Sequence, residues 1–303
     1  MSSKKNGNLH SAKKAKNDEF YTQLEDIEKE LRHYKAHFKG KTVFCNCDDP
    51  EWSNFWKYFT LNIDHLGLAR VVSTHYEKGA QSYKLECFPG GRVVKTQLAG
   101  DGDFRSEECI AILKEADIVV TNPPFSLFRE YVAQLVKHEK KFLIIGNNNA
   151  ITYKEIFKLI KENRVWLGIS PRSMSFKTGE GETIQVNACW FTNLSHKKRN
   201  EELILYREYS KAPADYPKYD NYDAIEVGKV KDIPCDYDGY MGVPITFLDK
   251  YNPKQFKIVG IMNTGEVNNG IRYENTPHGR PLIQGREVYF RIIITRKGVG
   301  NED

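Results

Sequence analysis

The most informative segment of this chain covers residues 117–128, where the letters DIVVT are followed at once by Asn122-Pro123-Pro124-Phe125. The apolar DIVVT stretch predicts a buried strand, and the two prolines restrict the backbone of the turn after it. The side-chain carbonyl of Asn122 and the backbone carbonyl of Pro123 are both hydrogen-bond acceptors. Phe125 adds a flat aromatic face for stacking. This turn can therefore hold an amino group on a planar ring.

Two acceptors on one amino group suit the methylation of an exocyclic amine, such as that of adenine. The lone pair of this nitrogen is delocalised into the ring, and the acceptors favour the tetrahedral geometry in which it can attack a methylsulfonium. Such a reaction needs no metal ion and no covalent enzyme intermediate. The alternative is a proline-stiffened turn with a core phenylalanine. The position of NPPF directly after a strand favours the catalytic interpretation, because ligands bind at the carboxyl ends of strands in α/β sheets.

The elements that position this turn follow an alternating pattern. Short apolar strands alternate with helices in the first half of the chain, which predicts an α/β domain with a mostly parallel sheet and helices on both faces. A hairpin is predicted over residues 83–98. The predicted strands cover 42–46, 70–74, 117–121, 142–146 and 165–169, and the predicted helices cover 24–38, 51–59, 106–116, 127–137 and 153–163.

After about Pro171 the sequence changes character, with frequent glycine, proline and tyrosine and little helical periodicity. Strands are predicted there over residues 183–192 and 288–295. We therefore divide the chain into a basic arm over 1–16, a catalytic domain over 17–209 and a further region over 210–303.

The composition of the 303 residues, with 40% hydrophobic and 28% charged, is that of a globular protein, and no apolar run suits a membrane span. The six cysteines are scattered without a CxxC pair, which predicts no metal site and a reducing cytoplasm. The net charge is +5, and five lysines precede Asp18, the first acidic residue. This arm suits contacts with nucleic-acid phosphates, or it is a solubilising terminus.

Several motifs together resemble one family. NPPF is similar to the catalytic motif of amino-methyltransferases that act on adenine, and the FYTQ letters at 20–23 resemble the motif that touches the cofactor in such enzymes. With NDEFYTQ at 17–23, CNCDDP at 45–50 and FLIIGNNNAI at 142–151, they look like the EcoRI-type adenine-specific DNA methyltransferase family. The resemblance is specific over about 9–169 and looser to the C-terminus.

This resemblance implies a Rossmann-like methyltransferase sheet with an appended C-terminal target-recognition region. It also implies S-adenosylmethionine as cofactor and N6-methylation of a flipped-out adenine in double-stranded DNA, within or derived from a restriction-modification system. We expect the enzyme to act as a monomer. The implied catalytic residues are Asn122, Pro123, Pro124 and Phe125.

The cofactor residues implied by the resemblance belong to three segments. Each segment has a simpler alternative. Tyr21 and Thr22 can be a packed tyrosine and a threonine cap. An aspartate of CNCDDP can cap the next helix, with Pro50 in its first turn, and Asp103 and Phe104 can belong to a polar turn. General methyltransferase folds have a glycine-rich turn where this chain has CNCDDP, and we expect CNCDDP to replace it. The candidates are Tyr21 and Thr22, then Asn46, Asp48 and Asp49, and finally Asp103 and Phe104.

The second strand departs from the usual pattern. It ends Ser73-Thr74-His75-Tyr76, without the acid that usually holds the cofactor ribose, and either Thr74 or His75 is expected to take the place of that acid. The Gly-Asn run at 146–149 either lines the base pocket or is an ordinary turn.

Residues that read DNA are expected mainly after Pro171, because the cofactor and catalytic motifs all precede it. Arginine can read guanine edges, whereas lysine mostly meets phosphate. The sequence singles out none of the candidates, which are Arg172, Lys177, Lys197, Lys198, Arg199, Arg272, Arg280, Arg286 and Arg291.

Three other functions are compatible with parts of the pattern. An RNA or protein amide methyltransferase can use the same NPPF chemistry, although the long C-terminal region favours DNA. A non-catalytic DNA-binding relative is disfavoured by the intact NPPF. A nicotinamide dehydrogenase is disfavoured because no GxGxxG follows the first strand.

Overall fold

The computed structural model describes residues 21–47, 49–177, 183–262, 271–273 and 279–297. The basic arm predicted over 1–16 lies outside the described residues.

The chain divides into two units. The first contains the described residues up to Ile151 together with Leu167–Ser195, and the second contains Thr152–Trp166 and the described residues from His196 onward. The second unit thus begins earlier than residue 210 and also takes a segment from the middle of the chain.

The elements of the described residues are numbered in chain order. The α-helices are α1 (Leu24–Leu31), α2 (Asn54–Leu61), α3 (Ile63–Leu66), α4 (Glu107–Glu115), α5 (Phe128–Lys137) and α6 (Lys154–Lys161). The strands are β1 (Tyr21–Thr22), β2 (Thr42–Cys45), β3 (Arg70–Thr74), β4 (Tyr83–Phe88), β5 (Arg92–Gln97), β6 (Ile118–Thr121), β7 (Lys141–Asn147), β8 (Trp166–Leu167), β9 (Met174–Lys177), β10 (Thr183–Val186), β11 (Ala188–Thr192), β12 (Ile225–Glu226), β13 (Met241–Val243), β14 (Phe256–Ile261), β15 (Leu282–Ile283), β16 (Arg286–Glu287) and β17 (Ile292–Arg296).

The central sheet has the order β5-β4-β3-β2-β6-β7-β11-β8. Its middle pairs, β3 with β2, β2 with β6, and β6 with β7, are all parallel, which confirms the predicted α/β fold. The antiparallel strands β4, β5 and β11 extend the sheet on either side. The order reverses between β2 and β6, since β3 lies on one side and β7 on the other. Such a reversal opens a crevice at the carboxyl ends of the strands.

Helices cover both faces of this sheet. Val43 of β2 and Val71 of β3, which are paired in the sheet, share one buried cluster with Phe55 and Phe59 of α2. On the opposite face, Phe128 of α5 packs against Phe191 of β11 with ring centroids 5.0 Å apart. Gly146 lies beneath this pair, and a Cβ on it would approach the Phe128 ring to 2.5 Å. Helix α5 can therefore pack closely on the sheet only where the strand residue is glycine.

Most predicted elements are confirmed within a few residues, because their apolar spacing matches the buried face. Ser106 caps α4 by accepting from the backbone amide of Cys109 at 3.1 Å, as predicted. The predicted hairpin is formed by β4 and β5. The predicted helix over 24–38 is shorter, because α1 ends at Leu31 and a 3₁₀ turn follows at Lys35–His37.

Two local interpretations are wrong. Helix α2 is capped by Ser53, whose hydroxyl accepts from the amides of Phe55 and Trp56 at 3.1 and 3.3 Å, so the alternative in which an aspartate of CNCDDP caps this helix is wrong. The single strand predicted over 183–192 is two strands in different sheets. β10 pairs with β9, and β11 pairs with β7, so the chain changes sheets at Asn187.

The second unit has a sheet of its own, in the order β12-β13-β17-β14. Its core contains Tyr222, Met262 and Ile293, and a separate hairpin is formed by β15 and β16. The strand predicted over 288–295 appears as β17. Within the described part of the chain, no helix combines the length and the apolar character that crossing a bilayer requires.

Candidate active site at the carboxyl edge of the sheet

Buried polar side chains follow the central strands at the point where the strand order reverses. Asn46 follows β2, Thr74 ends β3 and Asn122 follows β6, and these residues are 3%, 1% and 7% exposed. Neighbouring parallel strands end at the same edge of the sheet, so this edge carries polar groups within an otherwise apolar surrounding. Such groups are retained where they bind one another or a ligand.

Asn46 ties two of these turns together. Its side-chain carbonyl accepts a hydrogen bond from the hydroxyl of Tyr131, and its backbone carbonyl accepts one from the hydroxyl of Thr121. Burial raises the pKa of Tyr131 well above its ordinary value, so the phenol stays protonated and donates. Asn46 therefore fixes the turn after β2 to the last residue of β6; its direct contact with a cofactor stays a prediction.

The NPPF turn is partly enclosed by the protein. Asn122 and Pro123 are buried, whereas Pro124 and Phe125 are half-buried. Pro124 has an extended backbone, and a 3₁₀ turn over Phe125–Leu127 then leads directly into α5. The predicted catalytic residues thus lie between a central strand and a helix, on a backbone that the prolines stiffen.

The FYTQ segment reaches the NPPF turn through one aromatic side chain. Thr22 of β1 is paired with Phe176 of β9, and the Phe176 ring lies edge-on to Phe125 with centroids 6.3 Å apart. The amide of Asn54 in α2 donates to the backbone carbonyl of Thr22 at 2.7 Å. Two motifs that are distant in the sequence are therefore joined by Phe176. The side chain of Tyr21 lies outside the described ones, so its cofactor role stays a prediction.

Two buried hydroxyls near these turns have unused hydrogen-bonding capacity. The hydroxyls of Thr22 and Thr74 have no hydrogen-bond partner among the described residues, although both side chains are buried. Leaving a buried hydroxyl unpaired costs roughly 1–3 kcal/mol. Thr74 also stands where the usual ribose-binding acid is missing. Both hydroxyls suit the polar groups of a bound nucleoside, and neither requires a charged ligand.

Asp49 connects the turn after β2 with the turn after β3. One carboxylate oxygen accepts from the amide of Glu51 at 2.9 Å, and the other lies 3.4 Å from Nδ1 of His75. The His75 ring is stacked on Tyr83 at 5.1 Å. Asp49 is therefore held at the edge of the crevice, whereas Asp48 lies outside the described residues and its cofactor role stays a prediction.

Asp103 and Phe104 lie on a loop that is packed against the turn after β3. Gly102 has a φ of 81°, and a Cβ on it would come within 1.9 Å of the His75 carbonyl. The hydrogen bonds that Arg105 donates hold the pKa of Asp103 below its ordinary value. Phe104 is buried edge-on against Tyr131 with centroids 5.1 Å apart. Both residues thus have protein partners, and their contacts with the cofactor adenine stay predictions.

Comparison with known proteins shows to which family this chain belongs. A family model described as "Adenine-specific methyltransferase EcoRI" matches residues 8–297. The chain belongs to this family. It is an adenine-specific DNA methyltransferase, as the motifs predicted, and the alternative functions are set aside.

Similar proteins cover the chain almost from end to end. The type II methyltransferase M.EcoRI of Escherichia coli is 46% identical, over 95% of this chain and 96% of its own length. The type II methyltransferase M.MpnI of Mycoplasma pneumoniae is 41% identical, over 95% and 98%. A type II methyltransferase of Mycoplasma genitalium is 38% identical, over 96% and 99%. No solved structure gives a significant match.

One buried acidic residue of this methyltransferase was missed by the sequence analysis. The carboxylate of Glu30 in α1 is fully buried and accepts from the amides of Ile169 and Ser170 at 2.8 and 2.7 Å and from the hydroxyl of Tyr34 at 2.9 Å. Gly168 leaves space for this carboxylate, since a Cβ there would lie 2.3 Å from it. Glu30 falls on the apolar face of α1, and this acid among buried positions was the available signal.

One of the basic residues considered for DNA contact is not on the surface of the second unit. Arg199 is 8% exposed, and its guanidinium carbon lies 3.9 Å from the ring centroid of Trp166 and 5.7 Å from that of Tyr251. Burial lowers the pKa of Arg199 to about 10. This arginine packs between aromatic rings, so a surface role for it is not supported.

Proposed function

We propose that the carboxyl edge of the central sheet transfers a methyl group from S-adenosylmethionine to the N6 atom of an adenine in duplex DNA. The observation that carries this proposal is the junction at Phe176, which brings Thr22 of the cofactor motif beside Phe125 of NPPF. A methyl donor and its acceptor must meet, and these segments are the ones that resemble the donor and acceptor motifs of the family.

In this proposal the acceptor base is held by NPPF. The carbonyls of Asn122 and Pro123 accept from the two amino hydrogens, and Phe125 supports the ring. The acceptors orient the nitrogen lone pair, and their fixed positions avoid reorganisation during the reaction. S-adenosylmethionine, when bound, supplies the electrophilic methyl group. The target adenine has to leave the base stack to reach this turn.

In this proposal the cofactor is held by residues of β1 and of the turns after β2 and β3. The hydroxyls of Thr22 and Thr74, which have no hydrogen-bond partner among the described residues, and the carboxylate of Asp49 offer hydrogen bonds to ribose hydroxyls or to the methionine ammonium. Asn46 fixes the turn after β2 to the end of β6. The remaining predicted contacts, from Tyr21, Asp48, Asp103 and Phe104, belong to the same proposal.

The rest of the chain is proposed to select the DNA. Residues 210–303 form the target-recognition region in this proposal, and a monomer suffices because one base is flipped at a time. The relatives are named type II methyltransferases, which supports a role in or descent from a restriction-modification system. The cytoplasmic location stays a prediction from the scattered cysteines.

The proposal is tested by the modification that the enzyme leaves on DNA. After expression of the whole chain in a host without adenine methylation, sequencing of the DNA should reveal N6-methyladenine in one sequence motif. The purified protein should methylate duplex DNA and not RNA or peptide when S-adenosylmethionine is added. Methylation of RNA or protein amides in place of DNA would contradict the proposed substrate.

Asp49→Ala is expected to weaken S-adenosylmethionine binding without unfolding the chain, since the Asp49 carboxylate is proposed to accept hydrogen bonds from the cofactor. Affinity is measured by calorimetry, and stability by thermal unfolding. Glu51→Ala is the matched control, because Glu51 is an exposed acid in the same loop. Equal cofactor affinity in Asp49→Ala, Glu51→Ala and the wild type would place the cofactor contacts elsewhere.

Removal of residues 2–14 is expected to weaken DNA binding in a salt-dependent way. Each phosphate contact that the lysines make contributes roughly 0.9 to the slope of log affinity against log salt. The slope should flatten, while preference for the target site stays the same, because phosphate contacts carry no sequence information. Binding is measured by titration at several salt concentrations. An unchanged slope would assign the arm to solubility instead.

A further inference from the structure

In the described part of the second unit, strands β15 and β16 form a hairpin with a two-residue turn. Leu282–Ile283 pairs antiparallel with Arg286–Glu287, and only Gln284 and Gly285 lie between the strands. Their φ angles of 49° and 73° are both positive. Two consecutive positive φ values define the type I′ turn, which suits the twist of a two-residue hairpin.

The turn of this hairpin and the start of its first strand are held by hydrogen bonds. The two carboxylate oxygens of Asp220 accept from the amides of Gln284 at 3.2 Å and Gly285 at 2.7 Å. The buried Asn221 accepts from the amide of Leu282 at 2.9 Å and donates to the carbonyl of Arg280 at 2.7 Å. These bonds fix the turn and the entry of the first strand, so that side chains at the tip have a defined position.

Gln284 is an unusual residue for this turn. Type I′ turns favour Asn, Asp and Gly, because other side chains are strained at positive φ. Gln284 is exposed, so packing does not account for its presence. Backbone conformations of this kind cluster at functional sites.

Arg286 differs from its neighbouring arginines in having no protein partner among the described residues. Arg280 lies 3.1 Å from a carboxylate oxygen of Glu287, and Arg291 makes several hydrogen bonds to Glu226, the shortest at 2.7 Å. Arg286 is exposed, next to the turn, and makes neither an ion pair nor a side-chain hydrogen bond within this part of the chain. Its guanidinium is therefore available to a ligand.

We propose that the β15–β16 hairpin enters the major groove of DNA, where Arg286 reads a guanine and Gln284 contacts the neighbouring base pair. This inference rests on the proposed function and names part of its specificity. A two-stranded ribbon fits the major groove, which is about 12 Å wide. Arginine bonds the O6 and N7 atoms of guanine with its two-pronged guanidinium, and glutamine does the same with N6 and N7 of adenine.

The test maps the methylated motif of whole-chain variants by sequencing the DNA of the expression host for N6-methyladenine. Arg286→Ala should lower discrimination at one base pair by roughly 10- to 100-fold, so that the motif becomes degenerate there. Arg286→Lys should relax the same position, because an ammonium cannot form the paired bonds of a guanidinium. Lys257→Ala removes an exposed charge from β14 of the same unit, and it should leave the motif unchanged.

The outcomes separate the possible roles of the hairpin. An unchanged motif in Arg286→Ala overturns the inference. A wild-type motif and rate in Arg286→Lys shows a phosphate contact, and it also overturns base reading. A wild-type enzyme that leaves no N6-methyladenine in DNA removes the proposed function itself, together with this inference.

Gln284→Gly provides a second test that a folding defect cannot imitate. Glycine adopts positive φ without strain, so thermal stability should be equal to or above that of the wild type. The motif should nevertheless relax beside the position read by Arg286. A stable Gln284→Gly protein with the wild-type motif would show that Gln284 reads no base.

Discussion

Asn122→Ala is expected to lower the rate of methyl transfer by about 10²–10³-fold, while S-adenosylmethionine affinity stays near that of the wild type. The alanine removes one of the two acceptors proposed to grip the amino group, and it leaves the proline-stiffened backbone in place. Single-turnover methylation of duplex DNA measures the rate, and calorimetry measures cofactor affinity. Asn122→Asp retains an acceptor oxygen and should retain more activity than the alanine variant.

Ser126→Ala is the matched control for this experiment, because Ser126 is exposed in the same turn. It should keep the wild-type rate. A rate for Asn122→Ala within a few-fold of Ser126→Ala would show that the amino group is not held by this side chain. A parallel loss of cofactor affinity would instead indicate that the whole edge had rearranged.

Glu30→Ala is expected to lower the free energy of unfolding by roughly 3 kcal/mol or more, the sum of the penalties for its orphaned donors. The substitution leaves the amides of Ile169 and Ser170 and the hydroxyl of Tyr34 without their acceptor in a buried setting. Chemical denaturation followed by circular dichroism measures the change. Glu30→Gln retains one acceptor oxygen and should fall between the wild type and the alanine variant.

Glu28→Ala is the control for this second prediction. Glu28 lies on the exposed face of the same helix, so its replacement changes the helix composition without breaking a buried network. If the two alanine variants unfold with the same free energy, the buried hydrogen bonds of Glu30 contribute nothing to stability.

The sequence was informative where local pattern and tertiary position coincide. The strand before NPPF was predicted because DIVVT is apolar over a strand-length stretch, and the turn had to lie at the carboxyl edge once the strand was part of a parallel sheet. The helix after it was predicted because its apolar spacing has the helical period. The family motifs then supplied roles that spacing alone does not contain.

Contacts between residues that are distant in the sequence could not be predicted from local patterns. No periodicity relates Thr22 to Phe176, and no local rule places Phe176 beside Phe125. The helix cap illustrates the same difficulty on a smaller scale. Asp49 and Ser53 are both good cap residues, and only the fold shows that Ser53 caps α2 while Asp49 reaches towards His75.

The arginines of the second unit show how chemical type alone fails to predict role. In the sequence Arg199, Arg286 and Arg291 are equivalent candidates for DNA contact. In the structure one is buried against aromatic rings, one is exposed, and one is bound to Glu226. The burial of each side chain and its ion-pair partner distinguish the three arginines, and both properties depend on residues far away in the chain.

The position of β9 also affects where this enzyme can be divided. The motifs that resemble the family end near residue 151, yet Phe176 and strand β11, which complete the first unit, come later in the chain. When the last motif has been synthesised, the first unit therefore still lacks β9 and β11. A fragment cut at residue 151 would keep NPPF and the FYTQ and CNCDDP segments but lose the strand that joins them. For the same reason, two-fragment complementation should use a break after His196, in the C-terminal part of the second unit.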